Sequence, residues 1–595
     1  MPQGCNEFGF DYACTRFPAS ALAGLCRAVW CRDCVGLLRW WRWRFFVVAQ
    51  SAACGTAAGR PPAPTPTDIP ATDAEAARFL TQATFGATRV EIDRLRQIGY
   101  GRWIDEQIDP GRTRPTLVLP RIQQIFSGAV AESDWGQQYR RNYWLWQAAS
   151  APDQLRMRMA FALSEIMVVS DRDTTRRQVT RIADYQDTLA RNAFGSYRQL
   201  LKDVTLHPAM GVYLSYVGNR KATADGRVVP DENYAREVMQ LFSIGLVERN
   251  PDFSPRLDAQ GNTVPTYDQA VIAAMSRVFT GWTYAGLQSN QFGRLVEETH
   301  APMECHPGFH DDQPKTIFRG IVINEGNDCK ASLERVLDAL SEHPNTAPFI
   351  SRQLIQRFVS SNPSPAYIGR VSKAWTDSRG DLGKVVRAIL LDVEARSAPS
   401  ANDAAYGKPR EPLIKLVALW RAFDARYTPA AGGVVRFRFS SAWDLSTTLL
   451  QDSQRSPSVF NFFEPDFRLP ASDAAPGIYA PEFQVINEAS FTDAHNVYAD
   501  LVNNYSNATG EAPAAGANAP SMNFAKLVAL ADAGDHAGMV AEVNLLLFHG
   551  SLSAASSQVM VGMLDNLRNA NRGSLERARS LVALAASSPE YAIQR

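Results

Sequence analysis

The chain has 595 residues, more than one ordinary core accommodates, which predicts several domains or one large helical assembly. Lys plus Arg and Asp plus Glu each number 61, so the overall basic footprint that nucleic acid requires is absent. A hydrophobic content of 45% excludes a wholly disordered chain, and no run of about 20 apolar residues is present to make an ordinary membrane-spanning helix.

The N-terminal region differs from the rest. Residues 1–34 show neither helical nor strand periodicity and read as a non-structural extension. Residues 35–54 combine the basic Arg39-Trp40-Trp41-Arg42-Trp43-Arg44 with the short apolar Phe45-Phe46-Val47-Val48 and small residues ending on Cys54. That order is an export signal, and its end resembles the lipobox of bacterial lipoproteins, with Cys54 as the lipidated first residue. Ser51 stands where that motif usually has Leu. Residues 55–71 are rich in Pro, Ala and Thr and predict an extended tether that holds the body off a membrane surface. One acyl chain binds a membrane marginally, so stable anchoring needs further acyl groups. The expected location is extracytoplasmic, in the periplasm or anchored at the cell surface.

The body reads as mainly α, a large multi-helix domain over 72–504 with a small β excursion around 250–325. Thr72 followed by Glu75 predicts a capping box, and Ala76, Phe79, Leu80 and Ala83 follow as an apolar stripe. Tyr143, Leu145 and Trp146, then Leu155, Met159 and Leu163, predict two helices that meet at Pro152. Further helices are predicted near 231–247, 267–279, 331–340, 346–359, 366–377, 382–393, 411–425 and 484–503. Strand-like alternation is confined to Arg256–Pro265, with Gly261-Asn262 as its turn, and Thr316–Asn324. An Ala, Gly, Asn and Pro-rich loop over 505–520 precedes a C-terminal helical cap over 521–595.

Cys305 and Cys329 are the only cysteines of the body, and in an exported chain they predict one disulfide. On the helix predicted over 231–247, Asn233, Arg236, Glu237 and Gln240 share one polar face between apolar flanks. Two readings follow. Glu237 acts as acid, base or ligand, oriented by Arg236 and Asn233, with Glu232 alongside; or the stripe is a structural hydrogen-bond network. His207, before Pro208, is a further catalytic candidate or a helix cap. His306, His310 and Asp311 have the residue types of a metal site, with His300 and Cys305 nearby, but their spacing matches no closed zinc motif. The dinucleotide, phosphate-loop and nucleophile-elbow motifs are absent, and no cofactor is named by the sequence.

Several segments together resemble the bacterial domain of unknown function 1800 family. They are Ala76-Ala77-Arg78-Phe79-Leu80-Thr81-Gln82-Ala83-Thr84-Phe85-Gly86, His207-Pro208-Ala209-Met210, Asp231-Glu232-Asn233-Tyr234-Ala235-Arg236-Glu237, Phe279-Thr280-Gly281-Trp282, and Ser456-Pro457-Ser458-Val459-Phe460-Asn461-Phe462-Phe463. The resemblance covers about residues 73–490. It implies an exported protein, whose gene often neighbours that of another exported family, a candidate partner, and it implies no established activity. Many members carry a Trp-His-Asn-His-Phe run where this chain has Ala162-Leu163-Ser164-Glu165-Ile166-Met167, so no role of those histidines transfers.

Two functions fit. One is a surface-anchored binding or assembly protein. The other is an extracytoplasmic hydrolase using carboxylates, with polysaccharide as its substrate class and Glu237 paired to Glu232, Asp311 or Glu165. Glycoside hydrolysis requires two carboxyl groups about 5–5.5 Å apart for retention or 6.5–9.5 Å for inversion.

Overall fold

Thr72 opens the first helix, Asp73–Ala83, by accepting the Glu75 amide at 3.2 Å, while the Glu75 carboxylate accepts the Ala71 amide at 2.8 Å. The side-chain cap and acidic first turn are what the exposed amides and positive dipole end of a helix favour. This computed structural model describes residues 68–128, 136–172, 175, 178–296, 299–397, 406–438, 445–468 and 478–595. The extension, the signal, Cys54 and most of the tether lie outside the described residues.

The described chain is mainly helical, and its strands form two-stranded pairs only. The predicted β excursion is present. Lys315–Thr316 pairs antiparallel with Val322–Ile323, and Trp282–Thr283 with Glu304–Cys305. The hairpin over 256–265 turns at Asp258–Asn262, where Gly261 has φ +86°, and is held by single bridges such as Leu257 with Thr263. Cys305 and Cys329 form the expected disulfide with Cα atoms 6.0 Å apart, joining this excursion to the helix Cys329–Ser341. The last strand, Ile593–Gln594, returns to pair with Lys408–Pro409. Among the described residues no helix is long and apolar enough to cross a membrane.

One contiguous apolar core runs from Ala76 to Tyr591. At its centre lies the helix Pro412–Ala422, with all of its residues buried. It packs on the helices Gly136–Ser150 and His536–Phe548, and the latter also packs on Asp73–Ala83. Leu413, Leu416, Val417, Leu419 and Trp420 are at most 1% exposed, each contributing roughly 1.5–3 kcal/mol by burial. The chain at Gly86 passes so close to this helix that an added Cβ would lie 2.8 Å from the Ala418 Cα, so only glycine fits there.

One helix is shorter than its pattern predicts. The segment expected over 231–247 is helical only from Asn233 to Gln240. Beyond it the Ile244 and Gly245 amides both bond the Met239 carbonyl, and Gly245 adopts φ +68° with Phe349 against it. A left-handed glycine closes the turn, and Leu246, inside the predicted helix, is left 54% exposed.

Candidate functional site

The polar stripe forms on the short helix Asn233–Gln240, which packs on the helix Gln269–Val278. Arg236 does not orient Glu237: its Nη2 lies 3.4 Å from Glu232, whose carboxylate also accepts from Gln269 Nε2 at 2.9 Å. The reason is geometric, because Arg236 is four residues from Glu232 on the same helical face and adjacent to Glu237. Asn233 sits on the outside, 3.4 Å from the Ser215 hydroxyl. Glu237 itself is 6% exposed, and its Oε2 is buried with no hydrogen-bond partner. Burial raises its carboxyl above the usual range, against the lowering pull of Arg236. The Tyr267 hydroxyl is likewise buried without a partner, and burial followed by the Glu237 charge pushes it up to about 12.

His207 is a helix cap. Its Nδ1 accepts the Ala209 amide at 3.1 Å, so the proton sits on Nε2, which faces Asp184 at 3.2 Å. The residues proposed for a metal do not converge. His310 Nδ1 lies 2.8 Å from the Thr280 carbonyl, which only accepts, so Nε2 accepts from the Ser332 hydroxyl at 3.2 Å. Asp311 is bound by Arg277 at 2.8 Å, and His306 lies edge-on to Phe292. Among the described residues no group of three His, Cys, Asp or Glu side chains is placed to hold a metal ion.

Glu165 is deep in the core. Three carboxylates (Glu165, Glu411, Glu482) face three cations (Arg158, Arg357, Lys408), all at most 3% exposed. Arg357 Nε is 3.1 Å from Glu165, and Lys408 Nζ is 3.4 Å from Glu411 and 3.0 Å from Glu482. Gln451 donates to Glu411 at 2.7 Å. Burial, then the Glu411 charge, raises the Glu165 carboxyl well above the usual range. Burial would raise Glu411 too, but Lys408, Arg158 and Arg357 outweigh it and hold that carboxyl low. This cluster packs the helix Gln154–Ser164 on Thr346–Phe358 and has the character of a scaffold.

A cleft of about 490 Å³, absent from the sequence reading, opens at the other end of the central helix. Its walls come from Thr88 and Glu91, from residues between Trp146 and Gln154 and between Trp420 and Tyr427, and from Ala512. The Trp146 and Tyr427 rings meet 5.8 Å apart at 57°, forming an aromatic corner. Its charges are internally matched. Arg421 bonds Glu91 and donates to the Gly86 carbonyl at 2.8 Å and the Ala149 carbonyl at 3.1 Å; Arg426 is 3.1 Å from Asp424. Gln154 is 1% exposed, and its Nε2 donates to the Ala151 carbonyl at 2.8 Å and the Ala148 carbonyl at 3.1 Å. Those bonds fix the amide orientation, and the Oε1 of Gln154 is an acceptor with no partner.

The chain matches the family described as "Protein of unknown function (DUF1800)" over residues 78–593. No curated protein and no solved structure matches it.

Proposed function

We propose, from the premise that the chain belongs to the DUF1800 family and that this description assigns no reaction, that the protein is an exported binding or assembly protein held at a membrane surface. Lipid on Cys54 anchors it, and the Pro-rich tether over 55–71 spaces the body from the bilayer. An exported partner encoded nearby is consistent with an assembly role.

One observation carries the binding reading. Apart from Glu237, the candidate catalytic groups are already engaged in structural contacts, whereas the cleft beside Trp146 presents a preformed concave surface. Its size lies within the roughly 300–1,000 Å³ usual for small-molecule sites. His207 caps a helix, Glu232 is held by Arg236, Asp311 by Arg277 and Glu165 by Arg357.

The hydrolase reading keeps one specific support, the buried and unpartnered Oε2 of Glu237. It lacks the second free carboxylate that glycoside hydrolysis uses, since the candidates for that role are paired elsewhere.

The anchoring is tested by mass spectrometry of the native N-terminus. The expected species begins at Cys54 with a lipid-modified thiol, and Cys54→Ser moves the protein from the membrane fraction to the soluble one. An unmodified chain retaining residues before 54 would contradict the proposal.

A further inference from the structure

We infer that the cleft beside Trp146 is a binding site for a neutral oligosaccharide, an assignment that rests on the binding reading above. The first argument is shape. Trp146, half-buried at the end of the helix Gly136–Ser150, offers an indole face at the cleft and is backed by the buried ring of Tyr427, which packs on Phe437 as well. A pyranose ring has a flat face of C–H groups that packs on such an indole face.

The second argument is charge. Glu91 is compensated by Arg421, and Asp424 by Arg426. Asp424 and Arg426 are 70% and 55% exposed and solvated at the rim, so a charged ligand in the inner part of the cleft would need an opposite charge released from the Arg421–Glu91 pair. Breaking the Arg421 pair is costly, because Arg421 is 4% exposed and would be left buried with its charge uncompensated. A neutral ligand desolvates the cleft without that penalty.

The third argument is hydrogen-bond chemistry. The Gln154 amide nitrogen is committed to two carbonyls, leaving its Oε1 as a fixed acceptor nine-tenths or more buried in the wall of the cleft. A buried acceptor without a partner costs free energy that a donor from a ligand would recover. The Ser150 hydroxyl at the rim donates to the Trp146 carbonyl at 2.8 Å and keeps its lone pairs to accept. Sugar hydroxyls, each with a proton to donate, match these two acceptors.

The test is calorimetric titration of the purified protein with cellopentaose, chitopentaose and laminaripentaose. Hexagalacturonate and an alanine pentapeptide serve as charged and peptide comparators. At least one neutral pentasaccharide binds one-to-one, and Trp146→Ala weakens it at least tenfold. Ser150→Arg adds bulk at the exposed rim without touching the core, blocks the same binding, and remains informative where Trp146→Ala fails to fold. Leu257→Ala, on the distant exposed hairpin, leaves the affinity unchanged. No binding of any neutral pentasaccharide to the folded protein would overturn the inference, as would sugar binding that survives both cleft variants. Tighter binding of the anionic sugar or peptide, lost in the same variants, would overturn the neutral-sugar assignment while the binding reading stands. Cleavage of the bound sugar would instead defeat the binding reading itself.

Discussion

The Arg421 guanidinium bonds the Glu91 carboxylate across 330 residues of chain. The contact ties the last turn of the buried helix Pro412–Ala422 to the first turn of the helix Arg89–Ile98 and closes one wall of the cleft. Each charge sits at the helix end whose dipole favours it, a cation at a C-terminus and an anion at an N-terminus.

Replacing Glu91 with Gln removes the only opposite charge on Arg421 among the described ion pairs, while the Gly86 and Ala149 carbonyls keep their bonds. The expected cost is about 2–3 kcal/mol, below that of a fully buried pair because the Glu91 side chain is 22% exposed. Chemical denaturation of wild type and Glu91→Gln checks this; an unchanged midpoint would mean that Arg421 needs no counter-charge.

The buried cluster of Glu165, Glu411, Glu482, Arg158, Arg357 and Lys408 predicts an asymmetric response. Lys408→Met leaves Glu411 and Glu482 without their nearest cation and is expected to cost about 3–5 kcal/mol. Glu165→Gln is expected to cost less than about 1.5 kcal/mol, because a carboxyl whose ionisation is already disfavoured by burial resembles the neutral amide. Equal losses from the two substitutions, measured by urea unfolding, would contradict the assignment.

Glu237 predicts a pH-dependent gain. Its carboxyl is raised in the folded state, so the folded protein binds that proton more tightly than the unfolded chain does. The associated stability is fully present below the unfolded carboxyl value and is lost as pH rises through the folded value. Glu237→Gln is therefore expected to raise Tm at pH 8 and change it little at pH 4. Arg236 is not stranded, since Glu232 holds it. A large drop in Tm at pH 8 would show that the charged carboxylate is part of the scaffold.

Much of the fold was legible because the helical stripes are long and the capping residues conventional, as at Thr72 and at Asp381, which accepts the Lys384 amide at 3.0 Å. The disulfide was legible because Cys305 and Cys329 were the only candidates in the body. The early end of the helix at Gln240 was not, because Leu241, Phe242 and Leu246 continue the apolar pattern and the stop depends on Gly245 against Phe349. The place of Glu237 between apolar flanks was legible, but its relation to Arg236 was not, since adjacent residues on a helix point apart. The cleft was invisible because its walls come from segments near 88, 146, 154, 420 and 512. Trp146 itself falls on an apolar stripe and reads as core. The one local signal was Arg421, a charge at the end of an otherwise apolar run from Leu416 to Trp420. A cation there demands a partner from elsewhere in the chain.

The central claim is that the protein binds and does not cleave. Its most direct test is mass spectrometry of neutral oligosaccharides and polysaccharide digests after prolonged incubation with wild type and Glu237→Gln. The expected result is substrate of unchanged mass with both proteins, under conditions where the wild type holds the sugar in the cleft beside Trp146. Shortened chains produced by the wild type and absent with Glu237→Gln would contradict it and make Glu237 a catalytic residue.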